Sequence, residues 1–317
     1  MRIIFMGSGD VAVPVLRALL AARHDVVGVF TQPPRPAGRK GRPRPTPIAL
    51  TADSLGVSVI QCPDVNADAA VGQAAALTAD VICVVEFGQF IRRPMRAVAR
   101  LEAFNMHASL LPALRGAAPV NWAIINGMTV TGVTTFRLVD EMDAGPVYLT
   151  RETPIAPDER ADELKARLAA LGAQGVLETL NMIAAGAEPA EQDHSRATFA
   201  PKLTKADGVI DFSADAVTIR NRIHGAWPWP GGQAVLHRAG RKDCPVTIAA
   251  AEVLESDAPP GHPGELDDAL NVRTGQGALR IRQIKPTGKR LMDWADFVNG
   301  YRVAPGDQFA RKAAANG

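Results

Sequence analysis

The stretch ADVICVVEF, residues 79–87, constrains this chain more than any other, because it is apolar almost without interruption and too short for a buried helix. A strand of that composition has to be covered on both faces, which is the situation of a central strand in a parallel sheet flanked by helices. The neighbouring sequence supplies such a sheet. RIIFM (2–6), DVVGVF (25–30), VSVI (57–60), AFNM (103–106) and TGVTTFRLV (131–139) read as further strands. A helix from about Asp10 to Ala22 carries Val11, Val15, Leu16 and Leu19 at helical spacing. Thr46 and Pro47 read as N-cap and first turn of another helix, and AAPVNWAIING (117–127) as a helix ended by Gly127. The first half of the chain is therefore expected to be α/β.

In such a sheet the loops after parallel strands emerge on one carboxyl edge, where open α/β folds bind ligands. Four loops share that edge: Gly7 to Asp10, Thr31 to Pro45, Glu86 to Gln89, and Asn105 to Gly116. The last begins in FNMHASLLPALRG. Asn105 and His107 stand two apart, so at a strand end their side chains leave on the same side. With Asp143, in VDEMDAGPV, they make a neutral amide donor, a proton carrier and a charge able to hold the imidazole in one tautomer. Such a set suits acyl transfer.

Other chemistries fit less well. A metal site near His107 has only Asp140, Glu141 and Asp143 beside it, with no second histidine or cysteine. Ser109 lacks the G-x-S-x-G frame of a hydrolase nucleophile. Gly7, Gly9 and Ala12 fit a G-x-G-x-x-A dinucleotide fingerprint, yet Thr31 and Gln32 stand where an acid should hold the ribose. The bland alternative is a packed His107 with Asn105 as a turn residue. The second loop, TQPPRPAGRKGRPRPTP, carries Arg35, Arg39, Lys40, Arg42 and Arg44 without one acid. Proline and glycine are expected to keep it irregular, and beside the catalytic edge it reads as a phosphate-binding arm rather than a solvated loop.

Over the whole chain of 317 residues the formal charge is only +2, so nucleic-acid binding has to rest on such local clusters. Cys62, Cys83 and Cys244 are far apart and expected to be free thiols, and no run approaches the length of a membrane span. A cytoplasmic protein is expected. From Asp158, as cap, a helix with Leu164, Leu168, Leu171, Leu177, Leu180 and Ile183 runs to about Ala185. A polar stretch broken by Pro189 and Pro201 follows, expected as a linker. Beyond it QAVLH, PVTIAAAEV, LNVRT and ALRIRQI, separated by Gly and Pro, suggest a small β-barrel. In ALRIRQI, Arg280 and Arg282 share the face opposite Leu279 and Ile281, and with Lys285, Lys289 and Arg290 they suggest a track for phosphates.

NMHASLLPALRGAAPVNW, followed by DAG after a strand, resembles the folate-dependent formyltransferases. TQPPRPAGRKGRP resembles the inserted loop of the branch of that family that works on tRNA, and the resemblance continues through APKLTKADGVIDF, WPWPGG, IKPTGK and GYRVAPGD. It implies a Rossmann-like, mostly parallel catalytic domain over residues 1–188, a linker over 189–206, and an OB-like tRNA-binding domain over 207–317. The implied reaction moves the formyl group of 10-formyltetrahydrofolate to the α-amino group of methionine on initiator tRNA, in a monomer without metal. Sugar N-formyltransferases share the catalytic motif but lack the basic loop, and a binding module without catalysis would leave the trio idle. Carried over, Asn105, His107 and Asp143 are catalytic, with Asn105 and a protonated His107 stabilising the tetrahedral oxyanion. The folate is expected along Ser109, Leu110, Leu111 and Pro112 and against Phe87 and Gly88; tRNA is expected on Arg35, Arg39, Lys40, Arg42, Arg280 and Arg282. Glu86 and Ala113-Leu114 depart from the family pattern.

Overall fold

A computed structural model describes residues 1–37, 41–254 and 262–312. They fall into two compact units. One comprises Met1–Pro119, Val130–Pro154 and Lys165–Pro201; the other comprises Val120–Thr129, Ile155–Leu164 and the chain from Lys202.

The first unit is a seven-stranded sheet. Its strands in chain order are β1 (Arg2–Gly7), β2 (Asp25–Thr31), β5 (Val59–Gln61), β6 (Val81–Val85), β7 (Glu102–His107), β8 (Val130–Arg137) and β9 (Val147–Pro154), with the hairpin β3 (Arg35–Ala37) and β4 (Arg42–Arg44) standing apart. The spatial order is β5-β2-β1-β6-β7-β8-β9. The first five are parallel, whereas β7–β8 and β8–β9 are antiparallel. All five residues of β6 are buried, as its composition requires. The chain first winds outward from β1 through β2 to β5, then returns to place β6 on the other side of β1. That reversal makes the carboxyl ends of β1 and β6 the switch point of the sheet, the place at which open α/β folds bind ligands.

Helices α1 (Ala12–Ala21), α2 (Pro47–Ser54), α3 (Asp68–Ala76) and α4 (Arg93–Arg96) connect the parallel strands. Thr46 caps α2, its hydroxyl accepting from the Ala49 amide at 3.2 Å, with Pro47 at the first turn as expected. After α5 (Pro119–Ile125) comes α6 (Ala161–Ala184), which starts three residues after Asp158, the expected cap. The Glu163 carboxylate, not Asp158, takes the leading amide, that of Arg160, at 3.0 Å. Gly172 lets α6 close on β7: a Cβ there would stand 2.6 Å from the terminal methyl of Met106.

The basic loop is more regular than its prolines suggest. Arg35 pairs with Arg44, Pro36 with Pro43 and Ala37 with Arg42, so both prolines lie on one rung and their missing donors coincide in an exposed two-stranded ribbon.

The second unit is an antiparallel sheet of β10 (Gly232–His237), β11 (Cys244–Leu254), β12 (Val272–Arg273), β13 (Ala278–Pro286), β14 (Met292–Asp293) and β15 (Gln308–Arg311), in the order β12-β13-β11-β10-β15 with β14 beside β13. Its two edges meet through Glu265 and Leu266. Leu266 bridges to Val272 and Glu265 to Gln308, which makes the sheet a nearly closed barrel. Helices α7 (Ala216–Ala226) and α8 (Trp294–Tyr301) complete the unit, and its core gathers Phe212, Ile219, Ile248, Ile281, Phe297 and Phe309. Asp215 caps α7, accepting from the Thr218 amide at 2.9 Å. Cys62, Cys83 and Cys244 are free and buried, and among the described residues no helix is long and apolar enough to cross a membrane.

Candidate active site

Met106 of β7 packs beneath α6, so Asn105 and His107 on either side of it leave the sheet on the opposite face. His107 is 6% exposed, and its Nε2 lies 2.9 Å from the carbonyl oxygen of Leu114. A carbonyl only accepts, so Nε2 carries the hydrogen and Nδ1 is the nitrogen left for chemistry. Asp143 Oδ2 stands 3.8 Å from Nδ1, beyond direct hydrogen-bond range, and accepts from the Gly116 amide at 2.8 Å. The tautomer is thus held by Leu114, and Asp143 faces the ring without a direct hydrogen bond to it. The Asn105 side chain has no hydrogen-bond partner among the described residues, leaving its amide free to meet a substrate.

The loop between His107 and Gly116 is fixed at many points. Leu114 (φ 60°), Gly116 (φ 123°) and Asp143 (φ 53°) are all left-handed, a conformation that a non-glycine residue keeps only where its surroundings impose it. From β8, the Thr134 hydroxyl donates to the Ser109 carbonyl at 2.7 Å and accepts from the Leu111 amide at 3.1 Å. Ser109 Oγ donates to the Ala113 carbonyl at 2.6 Å.

A second brace comes from the stretch expected as a linker, which up to Pro201 belongs to the first unit. Thr198 Oγ1 accepts from the Leu114 amide at 2.9 Å, and the Arg115 amide donates to the Thr198 carbonyl at 2.9 Å. Gln192, 6% exposed, donates through Nε2 to the carbonyls of Asp143 (2.9 Å) and Gly145 (2.7 Å), while its Oε1 accepts from the Arg115 guanidinium at 2.7 Å. Gln192, Thr198 and Thr134 carry no motif, and only the Arg115-Gly116 pair hinted at this network.

The other expected contacts divide. Leu110 and Pro112 are half-buried on the loop, whereas Ser109 and Leu111 are buried, and the Ser109 hydroxyl is already engaged. The Phe87 ring is 2% exposed within the apolar core, so only backbone around Phe87 and Gly88 is available there. Arg35 and Arg42 are exposed on the hairpin, with Arg35 bonded to Gln32; Arg39 and Lys40 lie outside the described residues. Arg280 and Arg282 are both exposed on β13, as their alternation predicted, but Arg282 pairs with Glu252. Among the described residues no group of three or more metal-binding side chains occurs.

Residues 1–180 match the family model described as formyl transferase, and residues 202–302 match that of its C-terminal domain. The chain belongs to the formyl transferase family. Curated relatives extend the match end to end. A methionyl-tRNA formyltransferase of Citrifermentans bemidjiense is 38% identical over 100% of this chain and 99% of its own length, and one of Roseiflexus castenholzii is 42% identical over 97% and 98%. Among formyltransferase-fold structures, HypX from Aquifex aeolicus in complex with tetrahydrofolic acid superposes with a TM-score of 0.66 at 20% identity, covering 95% of this chain and 47% of that one. The sugar 3N-formyltransferase WlaRD gives 0.64 at 14% identity over 92% and 99%. At those identities the likeness is one of fold.

Proposed function

We propose that this formyltransferase transfers the formyl group of 10-formyltetrahydrofolate to the α-amino group of methionyl-tRNA, preparing initiator tRNA for translation. The observation that carries the reading is identity of about two residues in five, over essentially the whole chain, to relatives bearing that one name.

The reaction joins the amine nitrogen to the formyl carbon and breaks the bond from that carbon to N10 of the donor. Attack turns the formyl oxygen into an oxyanion, which the free Asn105 amide and a protonated His107 Nδ1 stabilise. The Asp143 carboxylate accepts the proton the amine loses. On collapse, the hydrogen on His107 Nδ1 passes to N10 as it leaves, while Nε2 stays bonded to Leu114 and keeps the ring from turning. Leu110 and Pro112 offer apolar surface to the pteridine, and the backbone near Gly88 offers its polar groups.

The testing experiment supplies purified protein with 10-formyltetrahydrofolate and either methionyl-tRNA or an amino-sugar nucleotide. Formylation of the charged tRNA alone is expected. Formylation of the sugar alone would replace this reading by that of a sugar N-formyltransferase, and binding without turnover would leave only a binding module.

A further inference from the structure

The G-x-G-x-x-A sequence at the end of β1 plays no part in the reaction just described, yet the structure uses both glycines: a Cβ at Gly7 would stand 2.7 Å from that of Ala12. The amide of Val11, at the start of α1, donates to Glu86 Oε2 at 3.1 Å. A helix start that resembles a phosphate cradle is thus already occupied by a carboxylate of the same chain, which meets the positive end of the helix dipole. Gly9 is required by that arrangement, because a Cβ there would collide with the Glu86 side chain. Glu86 also pairs with Lys165 on α6.

The backbone around Glu86 is unusual in the same place. Glu86 has φ 47° and Gly88 has φ 77°. For a residue with a Cβ the left-handed region costs about 1–2 kcal/mol, so a contact has to hold it there. Three more bonds tie this loop to its neighbours. The Ser8 amide donates to the Glu86 carbonyl at 3.2 Å; the Phe87 carbonyl accepts from Ser8 Oγ at 3.0 Å and from Gln32 Nε2 at 2.8 Å. The Ser8 and Val11 anchors follow β1 at the switch point of the sheet, Gln32 reaches across from the end of β2, and Lys165 comes from α6.

We infer that Glu86 is a positioning residue for the formyl donor: its carboxylate, held between the first turn of α1 and the Lys165 ammonium, fixes the backbone of Phe87 and Gly88 against which the donor binds. This rests on the reading that Phe87 and Gly88 face the donor. Glu86 need not touch the reacting atoms. Its loss loosens the loop and weakens donor binding, while the chemistry of Asn105, His107 and Asp143 is left alone once the donor is bound. Lys165 serves the same end from the other side of the carboxylate.

The test measures steady-state kinetics with 10-formyltetrahydrofolate and methionyl-tRNA for Glu86→Ala, Glu86→Gln, Lys165→Met and Gly88→Ala, each with its melting temperature. Glu86→Ala is expected to raise the donor KM about tenfold, with kcat and the tRNA KM within about twofold of wild type; tenfold corresponds to 1.4 kcal/mol of binding. Glu86→Gln keeps an acceptor for the Val11 amide but loses the ion pair, so a smaller rise is expected, similar to that of Lys165→Met. A merely structural role would lower the melting temperature of Glu86→Ala and leave the donor KM unchanged, which overturns the inference. Gly88→Ala tests the underlying reading, because φ 77° strains any residue with a Cβ, and a Cβ there would come 2.6 Å from Gln32 Nε2 and push it off the Phe87 carbonyl. If Gly88→Ala raises the donor KM while Glu86→Ala does not, only the inference falls. If neither does, the donor does not bind at this loop and both fall.

Discussion

His107 shows how far single residues could be read. The two-residue spacing to Asn105 at the end of a strand placed both side chains on one face, because alternation along a strand is independent of context. Which ring nitrogen is left free was not legible, since it is decided by the Leu114 carbonyl seven residues away. The same holds for Gln192, which donates to backbone carbonyls 47 and 49 residues distant and accepts from Arg115, 77 residues away, with no period among them. His107→Ala and Asp143→Ala are each expected to lower kcat by at least about a hundredfold with tRNA affinity nearly intact, checked by single-turnover formylation and filter binding. In the proposed mechanism Gln192 is placed one step removed, because it donates to the carbonyl of the left-handed Asp143. Gln192→Ala is therefore expected to lower kcat about tenfold, a loss of 1.4 kcal/mol in the transition state, with both KM values unchanged. A change in KM alone would show that Gln192 shapes a binding surface and not the position of Asp143.

At the scale of elements, strands buried on both faces were the most legible, because their composition leaves no other place for them. Strand β9 escaped notice: it is an edge, and Thr150-Arg151-Glu152 along it is polar enough to pass for a loop. The hairpin β3–β4 escaped for the opposite reason, since proline counts against a strand unless two prolines share a rung. Helix α7 carries an expectation of its own. His224, in its last turn, accepts from the Ala251 amide of β11 at 3.1 Å, and burial, with Arg220 nearby, lowers its pKa to about 4. The unfolded chain titrates this ring near 6.5, so above that pH the imidazole is neutral in both states and its contribution to stability is complete. As pH falls from about 6.5 to 4, the unfolded chain binds a proton that the folded one refuses, and stability falls by up to about 3 kcal/mol before levelling off. Urea unfolding midpoints between pH 7 and 4 are expected to fall less steeply in His224→Gln, which keeps an acceptor for the Ala251 amide without a titrating group. Parallel curves for the two proteins would mean that other groups carry the acid sensitivity.

For the whole molecule the governing quantity is where charge is left uncompensated. A net charge of +2 spread evenly would hold no polyanion, so tRNA affinity has to come from a few cations whose counter-charges are missing. Sequence alternation gave Arg280 and Arg282 equal standing on β13, but the fold separates them. Arg282 is paired with Glu252, whereas Arg280 has no carboxylate partner among the described residues. The cleft of about 690 Å³ beside them is also lined by Asp158, Asp293 and the Arg160–Glu163 ion pair, so its acids offset part of its positive charge. To reach a phosphate Arg282 has to leave Glu252, and an exposed pair of this kind is worth at most about 1 kcal/mol, enough to reduce its share without abolishing it. Arg280→Gln is therefore expected to lower the slope of log affinity against log salt by about one, as for a lost phosphate contact, and Arg282→Gln by clearly less. Glu252→Gln frees Arg282, so it should tighten tRNA binding at low salt and steepen the slope, with kcat unchanged. Equal slopes for the two arginine variants, together with no effect of Glu252→Gln, would mean that the ion pair does not govern which cation meets the tRNA.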